Sequence, residues 1–195
     1  MNRIAITGGI GSGKSYVSAL LEARGIPIYN ADNESKRLTV SDMNIRKGLI
    51  ELLGEEVYQE GMLNKPLLAA YLFASPENAA KVNGIIHPRV KADFLQWVDE
   101  HRHVGVVGLE SAILYESGFD DVVDAVVMVY APESLRLQRA MKRDQASEAQ
   151  VRARIAAQMD DEEKRRRADY VVMNDGSISL EEQLDVLVEH LKKGK

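Results

Sequence analysis

Eight residues near the amino end, Gly8-Gly9-Ile10-Gly11-Ser12-Gly13-Lys14-Ser15, restrict this chain more than any other segment. They fit the spacing G-x-x-x-x-G-K-[ST]. Before them stands a short β-rich run, Arg3 to Thr7, and after them a stretch from Ser15 to Ala23 with helical spacing at Val17, Leu20 and Leu21. Glycines without a Cβ let successive backbone N–H groups turn inward. A helix beginning near Gly13 adds its positive end, so a polyphosphate can be held without bulk positive charge. Lys14 then bridges the β- and γ-phosphates, and the Ser15 hydroxyl ligates Mg²⁺. A purely structural glycine turn is the competing reading, and the strand–loop–helix setting argues against it. A local anion site also fits the charge balance. Thirty Asp and Glu against 25 Lys and Arg give a net charge of −5, which disfavours a nucleic-acid binder working by bulk charge. With no Cys, disulfides, thiolate nucleophiles and zinc-thiolate sites are excluded.

The rest of the chain reads as an α/β layer fold. Ile26 to Tyr29 follows Gly25, a helix C-cap signal, and completes a first β-α-β unit. Val104 to Leu109, Ala125 to Tyr130 and Tyr170 to Met173 are nearly continuous apolar runs, as strands buried on both faces of a parallel sheet should be. The interval from about Ser35 to His103 carries helical patterns and no clear strand, so it reads as an inserted helical subdomain. Trp97, Phe73, Phe94, Tyr58 and Tyr71 are expected to form its local core, and Pro66, Pro76 and Pro88 to mark first turns or helix boundaries. Pro132 to Ala168 is helical and rich in Arg, with Asp160 to Arg167 expected as a solvated helix face. Leu180, Leu184, Leu187 and Leu191 give the last helix an amphipathic stripe. The predicted division is a core of residues 1–34 and 104–195, with a lid at about 137–158, and a helical subdomain of 35–103. Across 195 residues no stretch approaches the roughly 20 uncharged residues of a bilayer span. Met1 leads into a strand without a basic and apolar leader, so the expected address is the cytoplasm.

Several polar residues fall where phosphoryl chemistry would need them. Asp32 ends the second strand beside the glycine loop, where an open α/β sheet binds ligands; it can accept a proton from an acceptor hydroxyl, or simply cap the next helix. Glu110 closes the third apolar run and is either a carboxylate approaching Mg²⁺ or an exposed acid at a strand end. Arg139 and Arg143, four apart on one helix, could cover the transferring group or face solvent.

These residues, in order, resemble the dephospho-CoA kinase family. The resemblance rests on TGGIGSGKS at Thr7 to Ser15, Ala31-Asp32, His87-Pro88, ILYES at Ile113 to Ser117 and Ala131-Pro132. It continues through RAMKRD at Arg139 to Asp144, RIAAQ at Arg154 to Gln158, Lys164, ADYV at Ala168 to Val171, and Asn174 with Gly176. It implies a P-loop kinase with a five-stranded parallel sheet core, a helical substrate-binding insert and an Arg-rich helical lid. It also implies ATP with Mg²⁺, dephospho-CoA as acceptor in the insert, Asp32 as catalytic base, and Asn174 beside the adenine. The nucleotide set is then Gly9, Gly11, Ser12, Gly13, Lys14, Ser15, Tyr16 and Asn174. Lys14, Arg139 and Arg143 join Asp32 in catalysis; Ser15 and Glu110 are the candidates for the metal, with Glu116 left open as the alternative to Glu110. Lys36, His87 and Arg89 are candidates for the acceptor's phosphates and ribose, with His87 equally readable as a satisfied helix-start histidine. No nucleic-acid or membrane partner is implied, and a monomer or small homo-oligomer is expected. The chain departs from the family pattern at Asn30, where Asp is common, at Tyr16 and Ala112, and at Arg136, where Gln is frequent. Competing functions are a kinase for a nucleoside monophosphate or another small hydroxylated metabolite, and a P-loop switch that signals to a partner.

Overall fold

The structure, a computed structural model, describes residues 1–193. The first elements are β1 (Asn2–Thr7), α1 (Lys14–Glu22) and β2 (Ile28–Asn30). The helices α2 (Ala31–Ser41) and α3 (Met43–Leu53), the short strands β3 (Tyr58–Gln59) and β4 (Met62–Leu63), and the helices α4 (Lys65–Ala74) and α5 (Pro76–Glu100) follow. The chain continues through β5 (Val106–Glu110), β6 (Ala125–Tyr130), α6 (Glu133–Asp144), α7 (Glu148–Ala156), α8 (Asp161–Arg167), β7 (Tyr170–Met173) and α9 (Leu180–Lys193). Two compact units result: Met1–Asn30 with the chain from Val98 onward, and Ala31–Trp97. The divisions fall after Asn30, where α2 follows β2 directly, and after Trp97, within the last turn of α5.

The first unit holds a five-stranded sheet in the order β2-β5-β1-β6-β7, every pair parallel. β1 is central, and the chain crosses it between β5 and β6, so the loop after β1 lies at the topological switch point where open α/β sheets bind ligands. Ile4, Ile6, Val127 and Val129 from the strands pack with Val17 and Leu21 of α1 and Leu184, Leu187 and Leu191 of α9. The 3.6-residue stripe of α9 thus buries the face the leucines mark, with Leu180 partly buried at its start.

The second unit differs from its reading in three places. It does contain strands: β3 and β4 pair antiparallel through Glu60 (φ 51°) and Gly61 (φ 81°), a two-residue turn with both φ positive. Two-residue strands are too short to show alternation. Phe94 is fully buried and Tyr58 nearly so, but Phe73 is 83% exposed and takes no part in a local core. Pro88 lies inside α5 rather than at a boundary. It costs the Gly84 carbonyl its helical partner, yet Val82, Ile86, Val90 and Phe94, each four residues apart and all buried, outweigh that break.

Candidate active site around the glycine loop

Thr7 ends β1 and Lys14 begins α1, so residues 8–13 form a loop at the carboxyl edge of the sheet. In register, Ile6 lies opposite Glu110, and Glu110 opposite Asn30. Gly13 is the N-cap of α1 with φ 95°, and no side chain caps that helix, so its first-turn N–H groups are the natural anion donors. A Cβ there would strike the Asn174 side-chain amide. At Gly9 it would strike the Arg136 guanidinium and lie 2.6 Å from the Asp161 carboxylate oxygens. Backbone conformation calls for glycine at Gly13, and at both positions a Cβ would force the facing side chains to move.

The Lys14 ammonium donates to the Gly8 carbonyl at 2.7 Å and to that of Gly9 at 3.4 Å. The Ser15 hydroxyl donates to Glu110 Oε1 at 2.7 Å, and Glu110 is buried at the end of β5. A hydroxyl beside a carboxylate is the oxygen donor set a hard cation such as Mg²⁺ takes, with phosphates and water completing its shell. Among the described residues no group of three or more His, Cys, Asp and Glu could hold a metal ion. Asn174, just beyond β7, donates its side-chain amide to the Ser12 carbonyl at 2.7 Å. Tyr16 follows on the first turn of α1 and is 59% exposed.

Arg139 and Arg143 do not act on a common partner. Arg139 donates to the Asn174 carbonyl at 2.8 Å, whereas Arg143 is exposed and bound to its neighbour Asp144 at 2.7 Å. Arg143 and Arg154 together hold the Asp144 carboxyl down at about 2. The segment expected as a solvated face is also only partly so, since Asp161 and Lys164 are buried while Arg165, Arg166 and Arg167 are exposed. Arg136, marked in the sequence only as a departure, is buried and meets Asp161 as an ion pair at 3.1 Å without a well-aligned hydrogen bond. It also donates to the carbonyls of Ala131 at 3.2 Å and Ile10 at 3.4 Å, so it supports the glycine loop from behind. Burial pushes the Asp161 carboxyl up even though Arg136, Lys164 and Lys14 all pull it down. The i, i+3 spacing of Asp161 and Lys164 puts them on one helix face, but nothing in the sequence says that this face points inward.

The acceptor-side candidates belong to the second unit. Asp32 is the second residue of α2, inside its first turn rather than at its cap, and Lys36 lies four residues on along the same face. Arg37 of α2 donates to both carboxylate oxygens of Asp93 at 2.9 Å, which ties α2 to α5. His87 and Arg89 lie mid-helix in α5, so His87 is not a helix-start residue. Burial lowers the His87 imidazole below its usual 6.5. Arg89 donates twice to Asp42, at 3.0 and 2.9 Å, and Asp42 caps α3. Burial would raise that carboxyl, but Arg89 and the Ile45 and Asn44 amides outweigh it.

The model of one family, "Dephospho-CoA kinase", matches residues 2–180. A dephospho-CoA kinase of Bacteroides fragilis is 56% identical over 189 residues, covering 97% of this chain and 92% of that protein. Among solved structures, TT1252 from Thermus thermophilus superposes with a TM-score of 0.84 at 35% identity, covering 96% of this chain and 97% of that one. A dephospho-CoA kinase from Campylobacter jejuni has the same fold, with a TM-score of 0.71 at 22% identity over 99% and 98% of the two chains.

Proposed function

Because the chain belongs to the dephospho-CoA kinase family, we propose that its glycine loop and Asn174 hold ATP, and that Asp32 is the base for the acceptor alcohol. The protein is an ATP-dependent kinase that phosphorylates the ribose 3′-hydroxyl of dephospho-CoA to give coenzyme A. Mg²⁺ bound through Ser15 and Glu110 would neutralise charge on the phosphates. The chain's own groups do the rest. The first-turn amides of α1 and the Lys14 ammonium bind and orient the polyphosphate. Arg139 and Arg143 supply cationic cover for the transferring group once Arg139 leaves the Asn174 carbonyl that holds it here. Asp32 takes the hydroxyl proton as that oxygen attacks in line. Asp32 stands in the first turn of α2, directly after β2 ends. Lys36, His87 and Arg89 supply cationic and polar contacts for the acceptor. No helix among the described residues is long and apolar enough to cross a membrane. We expect the enzyme in the cytoplasm.

The observation that carries this reading is the Ser15–Glu110 contact at the mouth of the glycine loop, which sets a metal-side hydroxyl and carboxylate beside the phosphate cradle. Its test is Asp32→Asn. ATP affinity should stay near that of the parent while transfer to dephospho-CoA slows at least ~100-fold, the scale of a lost general base. Unimpaired transfer would reduce Asp32 to a helix-start acid.

A further inference from the structure

Two sequence features remain without a role: the glutamine that closes RIAAQ, and Lys164. We propose that Gln158 is a positioning residue of the phosphate loop and that the ion pair between the buried Lys164 and the exposed Glu116 holds it in place. Gln158 lies in the short segment between α7 and α8, and its side-chain carbonyl accepts the Ile10 N–H at 3.3 Å. Ile10 packs its side chain against the cluster of Leu137, Ala140 and Val151, but it sits between two glycines, so hydrogen bonds orient the flanking peptides. Those bonds are the Gln158 acceptor on its N–H and the Arg136 guanidinium on its carbonyl at 3.4 Å. The neighbouring Gly9 carbonyl accepts from Ser12 N–H at 3.1 Å. An uncharged amide suits this place. A carboxylate could accept the same bond but would repel a polyphosphate, and an apolar side chain would leave the amide unpaired.

The next residue anchors the segment. The Met159 N–H donates to Glu116 Oε1 at 2.7 Å, and Lys164 Nζ meets the same oxygen at 3.0 Å. Lys164, with no exposed side-chain surface, also donates to the Ala112 carbonyl at 2.8 Å. Removing Glu116 would leave the buried Lys164 ammonium without its carboxylate, which is costly, so the pair anchors this segment. It also commits Glu116 to the segment, leaving Glu110 as the carboxylate beside Ser15. Because α7 ends at Ala156, two residues before Gln158, the helix and the loop are mechanically joined.

The proposal rests on the glycine loop being the ATP site, so one readout is chosen that needs no nucleotide: hydrogen exchange of the Ile10 amide in the free protein. In Gln158→Ala that amide should exchange faster, the KM for ATP should rise about tenfold with kcat within about twofold, and Tm should hold. In Gln158→Glu the acceptor oxygen persists, so Ile10 protection should return. In Glu116→Gln, Ile10 exchange should accelerate and Tm fall, with the Mg²⁺ requirement unchanged. Parent-like Ile10 exchange in Gln158→Ala would overturn the contact. A lowered Tm with an unchanged KM for ATP would make the segment merely structural. A raised Mg²⁺ requirement in Glu116→Gln would move Glu116 to the metal side. If the parent failed to bind ATP with Mg²⁺, the reading of the site would fall while the exchange result still judged Gln158.

Discussion

Single residues around the glycine loop matter chiefly through which groups they bring within hydrogen-bond reach. Ser15 and Glu110 are 95 positions apart and meet at 2.7 Å, whereas Arg139 and Arg143, four apart on one helix, serve different partners. A buried, charged side chain such as Arg136 is tolerated because Asp161 and two carbonyls surround it. At the same scale His87 carries a pH signature. Burial holds its imidazole below 6.5, so the folded protein keeps the ring neutral while the unfolded chain takes up a proton first as pH falls. His87 therefore contributes stability that is complete above about pH 6.5 and is lost on acidification toward its folded pKa. Thermal unfolding scanned from about pH 8 to 5 should show a flatter acid limb for His87→Gln than for the parent. Parallel curves would show that the ring does not sense its burial.

Elements differ in how plainly their pattern betrays them. α9 packs Leu184, Leu187 and Leu191 against the sheet while Val186 stays 57% exposed between them. Leu184→Ala should cost ~2–5 kcal/mol of unfolding free energy, and Val186→Ala within about 0.5, in urea titrations. Equal losses would mean that α9 is docked by another face. α8 shows the opposite case. Its run of three acids, a lysine and three arginines looks solvated, yet it turns Asp161 and Lys164 inward because both find opposite charges in the first unit. Gln183 of α9 does similar work at the sheet edge, accepting from the Met173 N–H at 2.8 Å and donating to its carbonyl at 2.9 Å. That covers outward backbone groups of β7 which would otherwise invite another strand.

For the whole molecule, a kinase of this design must deliver the phosphoryl group to an alcohol rather than to water. With ATP and Mg²⁺ but no acceptor, phosphate release should run at least about 100-fold slower than transfer to dephospho-CoA, measured on the same preparation. Comparable rates would favour a nucleotide-hydrolysing switch. The strand–glycine–helix start, the parallel core strands and the stripe of α9 could be read from the sequence, because each depends on local spacing: period 3.6, unbroken apolar runs, and glycines where a Cβ has no room. The β3–β4 hairpin escaped that reading because its strands are shorter than one alternation, and Pro88 misled because a buried stripe spaced by four overrode a local helix breaker. Only the tertiary structure decided which of the charges face inward. Pairing Arg136 with Asp161, Lys164 with Glu116 and Ser15 with Glu110 depends on contacts 25, 48 and 95 residues apart. Each pair has at least one member that the fold buries, Arg136 and Asp161, Lys164, and Glu110, and no periodicity along the chain encodes that burial.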